Sequence, residues 1–205
     1  MKNLSILTLA IAFIVSACGG QSNTTEEVSQ VADASSEMEV TGSLDVAAST
    51  VNWKGVMMGM YDHTGNISIS EGSLNVEGSE VKGGSFTIDM ASINPTDENY
   101  DENRTAEKLV GHLSSPDFFD VENNPTATFE ITEGGAESVT GTLTIRGKSN
   151  TETIQVSGMN KTDNGWEING SLTFDRKKYD VAFDHPMQEM VISDDIELDI
   201  TLVLK

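Results

Sequence analysis

The sequence predicts an all-β protein, an antiparallel barrel that is closed or nearly closed and is interrupted by one helix. Three observations predict it. Apolar and polar residues alternate over most of the chain after residue 42, short glycine-containing links separate the alternating runs, and one segment has helical spacing. Alternation puts successive side chains on opposite faces of a strand, and short links join antiparallel neighbours. Closure is favoured because it removes exposed strand edges.

The alternating runs predict strands with one buried face each. Their apolar members are Val51/Trp53, Ile67/Ile69, Leu74/Val76, Phe86/Ile88/Met90, Ala127/Phe129/Ile131, Leu143/Ile145, Ile154/Val156, Trp166/Ile168, Leu172/Phe174 and Ile196/Leu198/Ile200/Leu202/Leu204. The predicted links lie at residues 71–73, 77–79, 83–84, 133–135 and 163–165. These links contain the Gly, Asn and Asp residues that hairpin turns use.

One segment, residues 99–115, breaks the alternation. It carries Ala106, Leu109, Val110 and Leu113 at spacings of three and four, and Pro116 follows it. This spacing places the apolar side chains on one helix face, and a proline just beyond is typical of a helix end. The segment is therefore predicted to form the single helical insertion.

The chain begins with a pattern typical of an export signal. A lysine near the start is followed by an apolar run, Leu4 to Val15, and then by small residues before Cys18. A helix of about 12 residues extends about 18 Å, which is short of the roughly 30 Å hydrocarbon core. Residues 1–17 are therefore predicted to be a signal peptide.

Residues 15–18 resemble the lipobox of bacterial lipoproteins, in which the cysteine receives lipid and becomes the first residue. Cys18 is the only cysteine, so an intramolecular disulfide is excluded. We expect lipidation at Cys18, a flexible acidic tether over residues 18–41 and one globular domain over residues 42–205. The expected location is the bacterial cell envelope, lipid-anchored, facing the periplasm or at the outer membrane.

The charge balance disfavours nucleic acid as a partner. The chain has 33 acidic and 12 basic residues, a net charge of −21. Binding to nucleic acid depends on lysines and arginines that displace counterions from phosphates, and a strongly acidic chain repels the polyanion.

Seven stretches in order, spread over about 130 residues, resemble the YceI-like family of exported lipid-binding proteins. They are residues 49–55, 63–65, 83–93, 108–121, 124–129, 139–147 and 174–176. The chain departs from the usual family pattern at residues 177–180, after Arg176, and in the methionine-rich residues 56–60.

The resemblance implies an extended lipocalin-like barrel of eight strands that holds an amphiphile, typically a polyisoprenoid such as an isoprenoid quinone or a prenyl phosphate. A barrel of eight strands encloses room for side chains or for one slender ligand. The implied function is a membrane-anchored carrier or reservoir that binds the lipid without chemistry. No cofactor is predicted; a bound isoprenoid lipid or quinone is the implied ligand.

Nine inward-facing residues are the predicted walls of the lipid cavity. They are Trp53, Ile67, Phe86, Ile88, Met90, Leu109, Phe129, Leu143 and Phe174. Ordinary core packing explains the same periodicity, so that alternative stays open. Met57, Met58, Met60, Met187 and Met190 suit an adaptable lining because thioether side chains fit irregular shapes, and core filling or chance surface placement explains them as well.

His63, Arg146 and Arg176 are the predicted contacts for a lipid head group, because arginine forms a planar fork that fits phosphate. Surface ion pairs with the many acidic residues are the alternative for the arginines. The three histidines, His63, His112 and His185, are separated by 49 and 73 residues. This spacing does not indicate a metal site, and His63 and His112 are expected to bond locally.

No catalytic residue is predicted, because the chain has no Gly-x-Ser-x-Gly elbow or comparable nucleophile signature. Pairs of carboxylates among the 33 acidic residues keep acid–base chemistry open. The alternatives to a lipid carrier are therefore a hydrolase or isomerase acting on a small amphiphile in the same cavity, or a structural envelope module.

Overall fold

The structure, a computed structural model, describes residues 39–163, 165–183 and 191–205. The chain divides into two units, residues 1–35 and residues 36–205, and every described residue belongs to the second. Cys18, the predicted signal peptide and most of the predicted tether lie outside the described residues. Their assignments stay predictions.

The described chain forms nine strands, one α-helix and one short 3-10 helix. In order they are β1 (Glu39–Ser43), β2 (Thr50–Met57), β3 (Tyr61–Glu77), β4 (Glu80–Pro95), α1 (Ala106–Ser114), β5 (Thr126–Glu133), β6 (Ser138–Ile145), β7 (Lys148–Thr162), β8 (Gly165–Asp175), the 3-10 helix (Arg176–Tyr179) and β9 (Ile192–Val203). Each strand from β2 to β9 pairs antiparallel with its sequence neighbours, and β9 pairs back on β2. The prediction of an antiparallel barrel of about eight strands with one helical insertion is confirmed.

Strand β1 extends the barrel wall at one end. It pairs with the second half of β3, from Glu39 opposite Glu77 to Ser43 opposite Ser73, whereas β2 pairs with the first half. β1 begins at Glu39, inside the segment predicted as tether. Its side chains are mostly exposed. The strand therefore carries no amphipathic alternation by which the sequence would reveal it.

Two of the predicted links are wrong, because residues 71–73 and 83–84 lie inside β3 and β4, which are 17 and 16 residues long. The glycines there serve packing and register instead of turns. A Cβ atom at Gly72 would lie 2.6 Å from Leu44 Cδ1, and Gly84 has a positive φ of 130°. Glycine inside a strand often marks such a close approach or a bulge. The links at 77–79 and 133–135 are confirmed, and residue 164 of the link at 163–165 lies outside the described residues.

The predicted helix is confirmed but begins at Ala106, later than residue 99. The Thr105 side chain caps its first turn by accepting from Lys108 N at 3.3 Å. Before it, Asp101 accepts from the backbone N–H groups of Asn103 and Arg104. Such local side-chain bonds compete with helix formation. Within the described residues, no helix has the length and apolar character of a membrane span.

The barrel interior has two halves of different character. The packed half lies toward the β3–β4 hairpin and holds the buried side chains Leu74, Val76, Val81, Val139, Leu202 and Leu204. The cavity half lies toward α1, which packs against β4. This half holds a ligand-sized cavity.

Candidate ligand-binding cavity

A cavity of about 430 Å³ occupies the half of the barrel next to α1. This volume falls within the roughly 300–1,000 Å³ that small-molecule sites have. All eight barrel strands and α1 contribute to its lining, which is predominantly aliphatic and aromatic. The cavity therefore suits an apolar molecule.

The nine predicted wall residues all line this cavity. They are Trp53, Ile67, Phe86, Ile88, Met90, Leu109, Phe129, Leu143 and Phe174. Alternation along each strand turns these side chains inward, and the barrel brings them together. Their contact with a ligand stays a prediction.

Two of the aromatic walls lie flat against glycines of the neighbouring strand. A Cβ atom at Gly141 would lie 2.6 Å from Cε1 and Cζ of Phe129, and one at Gly65 would lie 2.6 Å from Cε2 of Trp53. The Trp53 indole N–H donates to Asn66 O at 3.2 Å. The missing side chains make room for the rings, so the barrel wall holds them in place.

A polar group of side chains, which we call the mouth cluster, lies where β3 begins and β4 has ended. It consists of Tyr61, His63, Asp97, Tyr100 and Arg104. The His63 ring stacks on Tyr100 at 5.5 Å between centroids and meets the Tyr61 ring edge-on at 5.1 Å. Tyr61, His63 and Arg104 line the cavity. The Arg104 side chain is 56% exposed, so the cavity reaches the surface here.

Asp97 organises this cluster. Its carboxylate accepts from Tyr100 Oη at 2.9 Å, from the backbone N–H groups of Asn99 and Thr64 at 3.0 and 3.1 Å, and pairs with His63 Nδ1 at 3.1 Å. Burial by itself would raise the pKa of Asp97, but these hydrogen bonds outweigh it and lower the pKa below its ordinary value. Asp97 therefore stays ionised and fixes the orientation of the His63 ring.

Arg104 of the mouth cluster is already paired with a neighbouring residue outside it, Asp101. Its Nε and Nη2 donate to Asp101 Oδ2 at 2.9 and 2.8 Å, and its guanidinium lies 5.6 Å from the centre of the Tyr61 ring. The hydrogen bonds from Arg104 lower the pKa of Asp101 to about 2. The guanidinium charge is thus largely balanced.

The pairing of His63 with Asp97 was missed, and the prediction that His63 bonds locally is wrong. The two residues are 34 positions apart. Counting the register from the Glu77–Glu80 pair would place residue 63 opposite residue 94, but three register shifts between β3 and β4 move the facing position to about residue 97. The hairpin register alone could have predicted that residue 63 faces the end of β4, but the positions of the bulges, which set the exact partner, cannot be read from the sequence.

Arg146 lies away from the cavity lining and holds two loops together. Its guanidinium donates to the backbone carbonyls of Pro116, Phe118 and Asp180 at 2.6–2.7 Å. These bonds join the segment after α1 to the segment after the 3-10 helix. The N–H groups of Arg146 that were expected to bind a head group therefore donate to backbone carbonyls instead.

Arg176 is also outside the cavity lining, and it is buried with 1% of its surface exposed. It donates to Val181 O at 2.6 Å and to Ser193 O at 2.9 Å, and its Nη2 lies 3.3 Å from Asp194 Oδ1. It therefore fixes the rim where β9 begins. Of the three predicted head-group contacts, only His63 lies at the cavity.

The remaining histidines and methionines are divided between several environments. Within the described residues, Met57 lines the cavity, whereas Met58 and Met60 are more than half exposed. The His112 ring lines the cavity and meets the Phe183 ring edge-on at 4.5 Å, so its ring contacts extend beyond the helix end. The described residues contain no group of three potential metal ligands. His185, Met187 and Met190 lie outside them.

A closed eight-stranded antiparallel barrel around an apolar cavity with a polar mouth defines a lipocalin-like protein. The sequence profile of the YceI-like domain matches residues 43–204. The chain belongs to the YceI-like family.

Relatives and a solved structure agree with this assignment. A UPF0312 protein of Staphylococcus epidermidis is 33% identical over 108 residues, which cover 50% of this chain and 58% of the relative. A UPF0312 protein of Pseudomonas aeruginosa is 32% identical over 121 residues, which cover 49% of this chain and 60% of the relative. These matches thus span about three-fifths of the relatives' length. The crystal structure of Burkholderia cenocepacia BcnA shares the fold, with a TM-score of 0.58, 21% identity, and coverage of 78% of this chain and 98% of that one.

Proposed function

We propose that this protein binds an isoprenoid-type amphiphilic lipid in its barrel and acts as a membrane-anchored carrier or reservoir without chemistry. The observation that carries the proposal is the apolar cavity of about 430 Å³ that ends at a polar mouth cluster. One apolar body and one polar end match the two parts of an amphiphile. The family resemblance supports a polyisoprenoid tail.

Energetics favour carriage over permanent storage. Even about 25 carbons buried at roughly 0.8 kcal/mol each would give about 20 kcal/mol measured from water, which is already the value at which noncovalent affinities saturate. The lipid's alternative environment is a bilayer, which solvates its tail equally well. The net preference for the protein is therefore small, and exchange with the membrane is feasible.

The mouth cluster fits a head group that exchanges hydrogen bonds with His63. When Nδ1 carries the proton that Asp97 accepts, Nε2 is an acceptor for a hydroxyl; the protonated ring donates to an oxygen instead. Arg104 is bound to Asp101, and Asp97 adds a further negative charge. A hydroxyl or quinone head group therefore fits this mouth better than a phosphate does.

The lipid anchor would keep the barrel at the membrane surface. Cys18 would hold the domain beside the bilayer that supplies and receives the ligand, and several acyl chains would anchor it firmly. A Cys18→Ala chain is expected to bind lipid in solution as the natural chain does while losing delivery in cells. Equal delivery by both chains would remove the anchor from the proposed function.

Native mass spectrometry tests lipid binding directly. The full-length protein, purified in detergent, is incubated with a bacterial lipid extract, and retained lipids are identified by mass. Ala127 lines the cavity and is buried, so Ala127→Phe is expected to fill the cavity and to abolish retention. Thr126 is exposed on the same strand, so Thr126→Phe is the matched control and is expected to retain the lipid.

Two results would contradict the proposal. One is a natural protein that retains no lipid from the extract, and the other is an Ala127→Phe protein that is folded and retains lipid as the natural protein does. Circular dichroism of both variants shows whether the barrel is intact in each case.

The second candidate is an enzyme acting on an amphiphile in the same cavity. The specific observation in its favour is the 3.1 Å contact between His63 Nδ1 and Asp97, an arrangement that orients a histidine as an acid–base catalyst. Recovery of a chemically altered lipid from the natural protein, but not from a His63→Gln variant, would support the enzyme and overturn the carrier.

A further inference from the structure

A second, small cavity of about 30 Å³ lies beyond the first one, in the packed half of the barrel. The two cavities share three lining residues, Phe86, Ile154 and Ile200. Since each of these side chains borders both spaces, the three together separate them. We call Phe86, Ile154 and Ile200 the waist.

The waist residues come from three sides of the barrel. Phe86 is on β4, Ile154 on β7 and Ile200 on β9. Around the closed sheet, one strand separates β9 from β7, two separate β7 from β4, and two separate β4 from β9. Three side chains at nearly even spacing close the cross-section, which a single side chain on one wall would not do.

The barrel wall holds two of the waist side chains, Phe86 and Ile154, in position. The Phe86 ring stacks on its cross-strand partner Phe129, with centroids 5.5 Å apart and an interplanar angle of 25°. A Cβ atom at Gly72 would lie 2.8 Å from Phe86 Cβ, and one at Gly170 would lie 2.8 Å from Ile154 Cγ2. Bare backbone next to both side chains lets them approach closely, so they have little freedom to swing aside.

We infer that the waist determines the length of lipid tail that the protein accepts. This inference rests on the proposed function. A tail that enters at the mouth cluster runs through the main cavity until it meets Phe86, Ile154 and Ile200. The space beyond the waist, about 30 Å³, is too small for an isoprene unit, so no further unit fits without displacing core side chains.

A prenol series tests the inference. The full-length protein, stripped of lipid, is offered an equimolar mixture of all-trans prenols that differ by one isoprene unit, and retained prenols are weighed by native mass spectrometry. The natural protein is expected to show an upper length limit. Phe86→Ala is expected to raise that limit by one isoprene unit or more, because it joins the two cavities.

Phe174→Ala is the matched control. Phe174 lines the main cavity but not the small one, and its truncation removes the same side-chain volume. It is expected to leave the length limit unchanged while weakening retention. If Phe86→Ala fails to fold, Phe86→Leu opens the waist with a smaller loss of core and is expected to raise the limit less.

The outcomes distinguish failure of the waist hypothesis from failure of the proposed lipid-binding function. A natural protein that retains prenols together with a folded Phe86 variant that keeps the natural length limit would overturn the waist and leave the proposed function standing. An equal rise in the Phe174→Ala protein would also overturn it, since total volume would then decide the length. A natural protein that retains no prenol and no other lipid would remove the proposed function, and the waist with it.

Discussion

The two halves of this barrel are made from the same strands and the same alternating pattern, yet one is solid and the other is hollow. Leu74, Val76 and Leu204 fill the packed half and are 1% exposed, whereas the cavity half encloses about 430 Å³. The packed half is closed by short side chains that interdigitate. The cavity half is covered by α1 and by the segments around it. In this barrel, therefore, the packed half contributes most to stability and the cavity half provides the space for a ligand.

Leucine truncations are expected to give the largest difference between the halves. Leu74→Ala should lower the free energy of unfolding by about 4 kcal/mol, because it leaves a void in close packing. Leu143 borders the cavity, so it already lacks neighbours on one side, and Leu143→Ala should cost about 2 kcal/mol. Urea unfolding of lipid-free protein measures both. Equal losses would show that the cavity half is as tightly packed as the other.

Arg176 is expected to be the most sensitive polar position in the cavity half. Arg176→Met should cost about 3 kcal/mol, because the buried carbonyl of Val181 loses its donor. It should also reduce lipid retention, since Ile192 and Phe183 nearby line the cavity. Thermal unfolding and lipid retention of the variant are measured. Lys178→Met, a substitution at an exposed neighbouring residue, is the control, and its free energy of unfolding is expected to change by less than about 0.5 kcal/mol. A stable Arg176→Met protein that retains lipid normally would contradict this role.

Adding one methyl group at Gly141 tests how firmly the wall holds the Phe129 ring. Gly141→Ala should destabilise the protein by about 2 kcal/mol, because its Cβ would lie 2.5 Å from Glu130 O and 2.6 Å from the Phe129 ring. Gly83 is also in a strand and has open space around it, so Gly83→Ala should change stability by less than about 0.5 kcal/mol. Urea unfolding compares the two. A neutral Gly141→Ala would mean that the Phe129 ring and the Glu130 backbone both shift easily, so that the waist lacks a fixed support.

The smallest expected effect is the acid sensitivity of the mouth cluster. The pKa of Asp97 is lowered from its ordinary 3.8 in the folded protein, so the stability it contributes is present above pH 3.8 and is lost as the pH falls through the lower, folded value. Asp97→Asn should cost about 1 kcal/mol at neutral pH and flatten this part of the stability profile. Stability measured from pH 6 down to about pH 2 checks the sign. The exposed Asp101→Asn is the control, with a smaller expected change because solvent screens its ion pair.

Much of the fold could be predicted because it depends on local chemistry. Alternation identified most of the inward faces, and the links at 77–79 and 133–135 were correct. Gly72 and Gly84 misled the prediction, because a glycine that permits a turn also permits close packing or a bulge. β1 was not predicted, because it joins the sheet through backbone hydrogen bonds to β3 and its side chains, which are mostly exposed, show no alternation.

The candidate site was predictable in its walls and less so in its polar groups. All nine predicted wall residues line the cavity, because inward orientation follows from strand periodicity. Arg146 and Arg176 were expected at the mouth and instead bind backbone carbonyls. A sequence shows that an arginine is present, but the acceptor it reaches depends on loops from distant parts of the chain.

The sequence by itself determined the barrel class, the inward faces and the helical insertion, and the export signal that ends at Cys18 stays its prediction. Only the tertiary structure decided that His63 meets Asp97, that the two arginines hold loops, and that Phe86, Ile154 and Ile200 divide the interior. The reason is physical. Periodicity fixes which side chains point inward, whereas the empty volume is the difference between the space that the closed sheet encloses and the space that those side chains fill.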